Sequence, residues 1–116
     1  MRCAVVGSRT FSDYGLLSDA LDEAQRGGEV ITEIISGGAR GADTLAERYA
    51  AERGIPVKIF KPDWQLYGRS AGMIRNADIV GEADRVAAFW DGESHGTGNS
   101  IQLAREQGKL WILRTF

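Results

Sequence analysis

The sequence predicts an α/β fold, a parallel sheet of about five strands with helices on both faces. Three observations predict it. Short apolar runs alternate with amphipathic segments from end to end, the runs are nearly continuous in apolar residues, and glycines cluster where a run gives way to a helical segment. Parallel strands need crossover connections, and strands apolar on both sides are covered on both sides.

Arg2 to Val6 is a buried strand ending at Gly7. Ser12-Asp13 caps a helix in which Tyr14, Leu17, Leu21 and Ala24 share a face, and Gly27-Gly28 stop it. Val30 to Ile35 is a β-branched second strand ending in Ser36-Gly37-Gly38. A helix from about Ala42 to Arg53 follows, with Leu45, Ala46, Tyr49 and Ala50 on one face and Gly54 as its stop. Pro56 opens a third strand, Val57 to Phe60, closed by Lys61-Pro62-Asp63. Asp63 to Gly68 is expected to be irregular, with Trp64 and Tyr67 acting as cover. Gly68 to Glu82 reads as a third helix with Ile74, Ala77 and Val80 on a common side. Arg85 to Trp90 is a fourth strand and Asp91 to Gly96 a polar turn. Thr97 to Gln107 is the last helix, stopped by Gly108, and Leu110 to Leu113 the last strand. Cys3, Trp90 and Trp111 are expected in the core.

A chain of 116 residues has room for one hydrophobic core, so residues 1–116 read as one domain. No apolar run approaches the roughly 20 residues that cross a bilayer, so no membrane partner is expected. The first seven residues are too short for a secretory signal, which makes the cytoplasm the expected location. Cys3 is the only cysteine, excluding an internal disulfide and a paired-cysteine metal site. No metal is expected. A formal net charge of −2 argues against a broad nucleic-acid surface, so nucleic acid is not expected as a partner.

Gly7-Ser8-Arg9-Thr10, Ser36 to Asp43, and Gly92 to Gly98 each follow a strand and lead into a helix. In an open parallel sheet such turns lie at the carboxyl edge, where ligands bind. Glycine lets several backbone N–H groups converge on one oxygen cluster, and a helix N-terminus adds positive potential. Arg9 and Arg40 supply forked donors to a phosphate, and Ser8, Ser36 and Thr97 supply neutral ones. Arg69 and Arg75 stand near the start of the third helix, where a cation is locally unfavourable unless an anion lies close. Asn76 beside them suits a base or ribose edge. Neither GxGxxG nor a GxxxxGKS/T loop occurs.

Four segments carry a resemblance: Val6-Gly7-Ser8-Arg9-Thr10-Phe11, Ser36-Gly37-Gly38-Ala39-Arg40-Gly41-Ala42-Asp43, Gly68 to Asn76, and Gly96-Thr97. Together they resemble the SLOG superfamily of Rossmann-like domains, most closely its small YspA-type, cpYpsA-related members. The resemblance implies binding of nucleotides or nucleotide-derived ligands, ADP-ribose-like signals among them. LOG-type phosphoribohydrolases, which are related, pair an arginine in Arg-Lys-Ala-x-Met with a glutamate in Gly-Gly-x-Gly-Thr-x-x-Glu. Arg75-Asn76-Ala77-Asp78-Ile79 keeps the arginine, but Ser100 stands at the glutamate's place and cannot supply a carboxylate. Asp43, Asp91, Glu93 and His95 are the nearby alternatives; Asp43 equally suits a helix cap, and the others a solvated turn. The DprA core shares Gly-x-Arg-x-x-Ser-x-Tyr-Gly and Ser-Gly-x-Ala-Arg-Gly-x-Asp, matched by Gly7 to Gly15 and Ser36 to Asp43. Single-stranded DNA binding of that kind needs a basic groove and stacking aromatics, here Arg9, Arg40, Arg69 and Arg75 with Trp64 or Tyr67.

The expected architecture is a Rossmann-like, doubly wound sheet of strand order 3-2-1-4-5, which brings the three glycine-rich turns together. They form one phosphate floor of Gly7, Ser8, Arg9, Ser36, Gly37, Gly38, Ala39, Arg40, Gly41, Asp43, Gly96 and Thr97, flanked by Arg69, Arg75 and Asn76. The expected ligand is a small nucleotide derivative, ADP-ribose- or NAD-like or a nucleoside monophosphate, with no further cofactor required. One reading is a binding module. Another is a hydrolase of an N-glycosidic or phosphate bond, with Arg75 holding phosphate and Asp91 assisting. A third, minor reading is DNA binding. A homo-oligomer is left open.

Overall fold

Strand alternation divides the interior into two cores. In the computed structural model, which describes Met1–Phe116, β1 (Arg2–Gly7) sends Cys3 and Val5 to one face of the sheet and Ala4 and Val6 to the other. The remaining elements follow as α1 (Tyr14–Gln25), β2 (Glu33–Ser36), α2 (Ala42–Arg53), β3 (Val57–Ile59) and α3 (Trp64–Tyr67). A 3-10 turn (Gly68–Ser70) then leads into α4 (Ala71–Glu82), β4 (Arg85–Trp90), α5 (His95–Glu106) and β5 (Leu110–Thr115). All strand pairs are parallel and the order is β3-β2-β1-β4-β5, as the sequence predicts. Leu17 and Leu21 of α1 and Ala46 and Tyr49 of α2 pack on Cys3, Val5, Ile34 and Phe89. On the opposite face Ile79 and Val80 of α4 and Ile101 and Ala104 of α5 pack on Ala4, Val6, Ile35 and Val86. Burial pushes the Cys3 thiol up to about 12, so it is an inert core group. No helix is long and apolar enough to cross a membrane.

Several boundaries differ from expectation, each for a physical reason. β2 begins at Glu33, not Val30, because its register starts with the pair Arg2↔Glu33. Upstream, Val30 accepts from the Met1 amino group and the Thr32 N–H donates to the Met1 carbonyl, which ties the chain without forming a ladder. The stretch after Asp63 is helical, since the Asp63 carboxylate accepts from the Leu66 N–H and caps α3. Gly68, at φ +55°, breaks that turn and delays α4 to Ala71. The covered stripe of α4 runs through Ala71, Ile79 and Val80 towards Ala83, while Ala77 lies on the far side and is exposed. α5 starts two residues early, at His95, and β5 extends to Thr115, which pairs with Trp90. Trp90 is only half-buried, its indole N–H donating to the Ser94 carbonyl. Trp111 is partly buried against the first core.

Candidate functional site

The chain leaves β1 towards β2 on one side and β4 towards β5 on the other, so the loops beyond β1 and β4 part and open a crevice. Its volume is about 310 Å³, and only three of the sixteen residues around it, Val6, Ala39 and Ile79, are hydrophobic. Of the residues expected from sequence, Gly7, Ser8, Arg9, Gly37, Ala39, Asp43, Arg75, Asn76, Asp91, Gly96 and Thr97 line it.

Five expected residues do not. Ser36 is fully buried beneath the loop, 3.3 Å from a Glu47 carboxylate oxygen and accepting from the Gly38 N–H at 3.1 Å. Gly38, at φ +71°, is exposed beside Ile59 and Lys61. Arg40 points to solvent, and so does Arg69 on the 3-10 turn. Gly41, at φ +78°, lies against the backbone of Ser8 and Arg9, so the loop after β1 rests on the start of α2. Thr10 and Ser94 also line the crevice, and Ser100, which stands at the glutamate's place, faces it from α5. The signal in the sequence for Ser94 is its spacing, three positions after Asp91 within one polar turn.

Ser8 joins two walls. It is 2 % exposed, and its Oγ accepts from the Asp91 N–H at 3.0 Å and lies 2.9 Å from Ser94 Oγ. The Asp91 carboxylate accepts from the Ser94 N–H at 2.8 Å and the Glu93 N–H at 2.9 Å. Those donors hold its carboxyl down at about 2. A carboxylate so engaged is a weak proton acceptor. The geometry gives Asp91 a bracing role, its carboxylate holding the turn after β4 at the edge of the crevice.

Arg75 and Asp43 occupy the opposite wall. The covered stripe of α4, read back from Ala83 through Ile79, reaches Arg75 one turn earlier, past the end of the sheet. Arg75 donates from Nη1 to the Gly37 carbonyl at 2.9 Å and from Nε to Asn76 Oδ1 at 3.1 Å. Asn76 in turn donates to the Gly96 carbonyl at 3.3 Å. Asp43, 8 % exposed, accepts from the Ala39 N–H at 3.0 Å. Burial pushes its carboxyl up to about 6, against the pull of that N–H and of Arg75. Burial likewise lowers the Arg75 pKa, with Arg9 adding to the effect. None of the six ion pairs in the protein involves Arg9, Arg75 or Asp43. α2 and α5 both begin at the crevice without a side-chain cap, whereas Asp13 and Asp63 cap α1 and α3.

A carboxyl whose folded pKa lies above its ordinary 3.8 binds its proton more tightly in the native state. Its contribution to stability is therefore full below about pH 4 and is lost as pH rises through about 6. Asp43→Asn should gain on the wild type by about 2–3 kcal/mol between pH 4 and pH 8, measured by urea unfolding across that range. A stability difference that does not vary with pH would show that Asp43 titrates normally.

The model of the YspA, cpYpsA-related SLOG family matches residues 1–67, more than half of the chain. The chain belongs to that family. This SLOG protein is also 36% identical over 114 residues to the Gene 61 protein of Mycobacterium phage D29, covering 92% of this chain and 90% of that one. Two solved structures share the fold at 21% identity. DNA processing protein A from Helicobacter pylori, a structure of its single-stranded DNA binding mode, aligns with a TM-score of 0.72 over the whole of this chain. DNA processing protein A (DprA) from Streptococcus pneumoniae aligns with a TM-score of 0.68 over 94% of this chain. The SLOG chain spans 66% of the first of these and 48% of the second. The expectation that nucleic acid is not a partner is overturned here, since the Helicobacter pylori protein of this fold has a single-stranded DNA binding mode. A net charge summed over a whole surface does not describe one groove.

Proposed function

We propose that the crevice binds the phosphate of a nucleotide or nucleotide-derived ligand, either a nucleoside monophosphate or an ADP-ribose- or NAD-like molecule. The observation that carries this reading is the pair Arg9 and Arg75, two guanidiniums on one crevice with no carboxylate ion-paired to either. Two uncapped helix N-termini at the same place add positive potential of the kind that favours an anion. Asn76 and Asp43 offer polar edges to a ribose or base. The volume is near the lower end of the roughly 300–1,000 Å³ of small-molecule sites, which suits one nucleotide unit better than two.

Binding without turnover is the better supported form of this activity. Ser100 brings a hydroxyl where a catalytic carboxylate would be needed, and Asp91 is committed to its turn. A hydrolytic reading would rest on Asp43, whose carboxyl near pH 6 is suited to proton exchange. Thermal unfolding in the presence of AMP, NAD, ADP-ribose and cyclic ADP-ribose, with product analysis alongside, tests both. A raised midpoint with intact ligand is the expected outcome. Release of free base or nicotinamide would establish hydrolysis instead, and no response to any of the four would remove the nucleotide assignment.

A further inference from the structure

Seven large hydrophobic side chains are exposed in this protein, and five of them, Ile59, Trp64, Leu66, Tyr67 and Met73, fall in the single stretch from β3 to the first turn of α4. Trp64 is 59% and Tyr67 45% exposed. Exposed apolar side chains gathered in one segment give it the composition of an interaction surface. The same stretch carries Lys58, Lys61 and Arg69 against one acid, Asp63, which spends a carboxylate oxygen on the Leu66 N–H. Lys58 is paired with Glu82, but Lys61 and Arg69 are in none of the ion pairs. The stretch also adjoins the crevice. A Cβ on Gly38, next to the lining residues Gly37 and Ala39, would lie 3.0 Å from Ile59 and 4.0 Å from Lys61.

We propose that this aromatic and basic stretch is a stacking surface for single-stranded nucleic acid, one nucleotide of which seats in the crevice; the second clause rests on the phosphate-binding reading above. Flat apolar faces beside unpaired cations match a polymer that presents bases and phosphates in turn. Continuity with a crevice bearing Arg9 and Arg75 extends the cationic path to a phosphate seat. A second copy of the chain fits less well, because a two-fold contact would set Lys61 and Arg69 of both copies on the same face.

The test is fluorescence anisotropy with a labelled single strand of about 12 nucleotides, alongside AMP binding by thermal shift. Trp64→Ala and Tyr67→Ala alter exposed side chains, so the fold is retained, and each should weaken the oligonucleotide about tenfold while leaving the AMP response unchanged. Arg75→Ala should weaken both. Wild-type affinity for the strand in both aromatic variants overturns the proposal, as does a wild type that responds to AMP and ignores the strand; in the latter case the crevice reading survives. Strand binding sensitive to Trp64 with no AMP response leaves the stacking surface standing and removes the crevice assignment. Self-association abolished by Trp64→Ala, or binding to anionic phospholipid vesicles and not to the strand, also overturns it.

Discussion

Gly7→Ala should cost the protein much of its stability. A Cβ at position 7 would lie 2.5 Å from the Ala42 Cβ and 2.5 Å from the Phe89 carbonyl oxygen, with the Phe89 Cβ at 3.3 Å. Neither close neighbour can swing aside. The Phe89 carbonyl accepts from the Ser8 N–H at 2.9 Å, and Ala42 is the first residue of α2, fully buried. Relief requires moving α2 or β4 away from β1, which disturbs the sheet at its centre. Overpacking that side chains can absorb costs about 1–3 kcal/mol. A clash with backbone at this junction should cost at least about 3 kcal/mol, a large share of the roughly 5–15 kcal/mol of a native domain. Urea unfolding reads this as a lowered midpoint, or as a variant already unfolded in buffer. A loss below about 1 kcal/mol would mean that strand and helix stand further apart than described.

Arg75→Ala is expected to have the largest effect on ligand affinity. The substitution removes a charged donor from the crevice and, in the free protein, the bond to the Gly37 carbonyl. It also takes away the positive charge that draws the Asp43 carboxyl downward, so Asp43 should titrate higher still. Hydrogen bonds to charged groups contribute about 1.5–3 kcal/mol, which translates to roughly ten- to hundredfold in affinity. Gly37→Ala reaches the same end without altering charge. Its Cβ would fall 2.7 Å from Arg75 Nη1 and 3.0 Å from Asp43 Oδ2, and the arginine end is the part able to yield. Calorimetric titration of both variants with whichever nucleotide raises the unfolding midpoint is the measurement. Wild-type affinity in both would remove Arg75 from the site.

Strand order and the position of the crevice were legible because both follow from long-range rules acting on local pattern. Apolar runs separated by helical segments admit few arrangements, and glycine at the ends of β1 and β2 marked where backbone had to come close. Direction was not legible. Arg40 stands between Gly38 at φ +71° and Gly41 at φ +78°, two left-handed steps that turn its side chain to solvent. Arg69 was misplaced because a four-residue helix is too short to show a period, so the Asp63 cap and the Gly68 break went unseen. Asp91 was recognised as an acid at the mouth, but its engagement by the Glu93 and Ser94 N–H groups depends on turn geometry that residue types do not reveal. Arg75 was legible by likeness to a motif, whereas its contact with Gly37 spans 38 positions and needed the fold.

The Ser8 hydroxyl, held between the Asp91 N–H and Ser94 Oγ, has a consequence for how a ligand would be received. It ties the loop after β1 to the turn after β4, so the two sides of the opening are joined before any ligand arrives. The entropy of ordering those loops is then lost when the chain folds and not again when a guest arrives. A ligand bound there would spend less of its binding energy on ordering these walls, and would be selected by its fit to the resting outline.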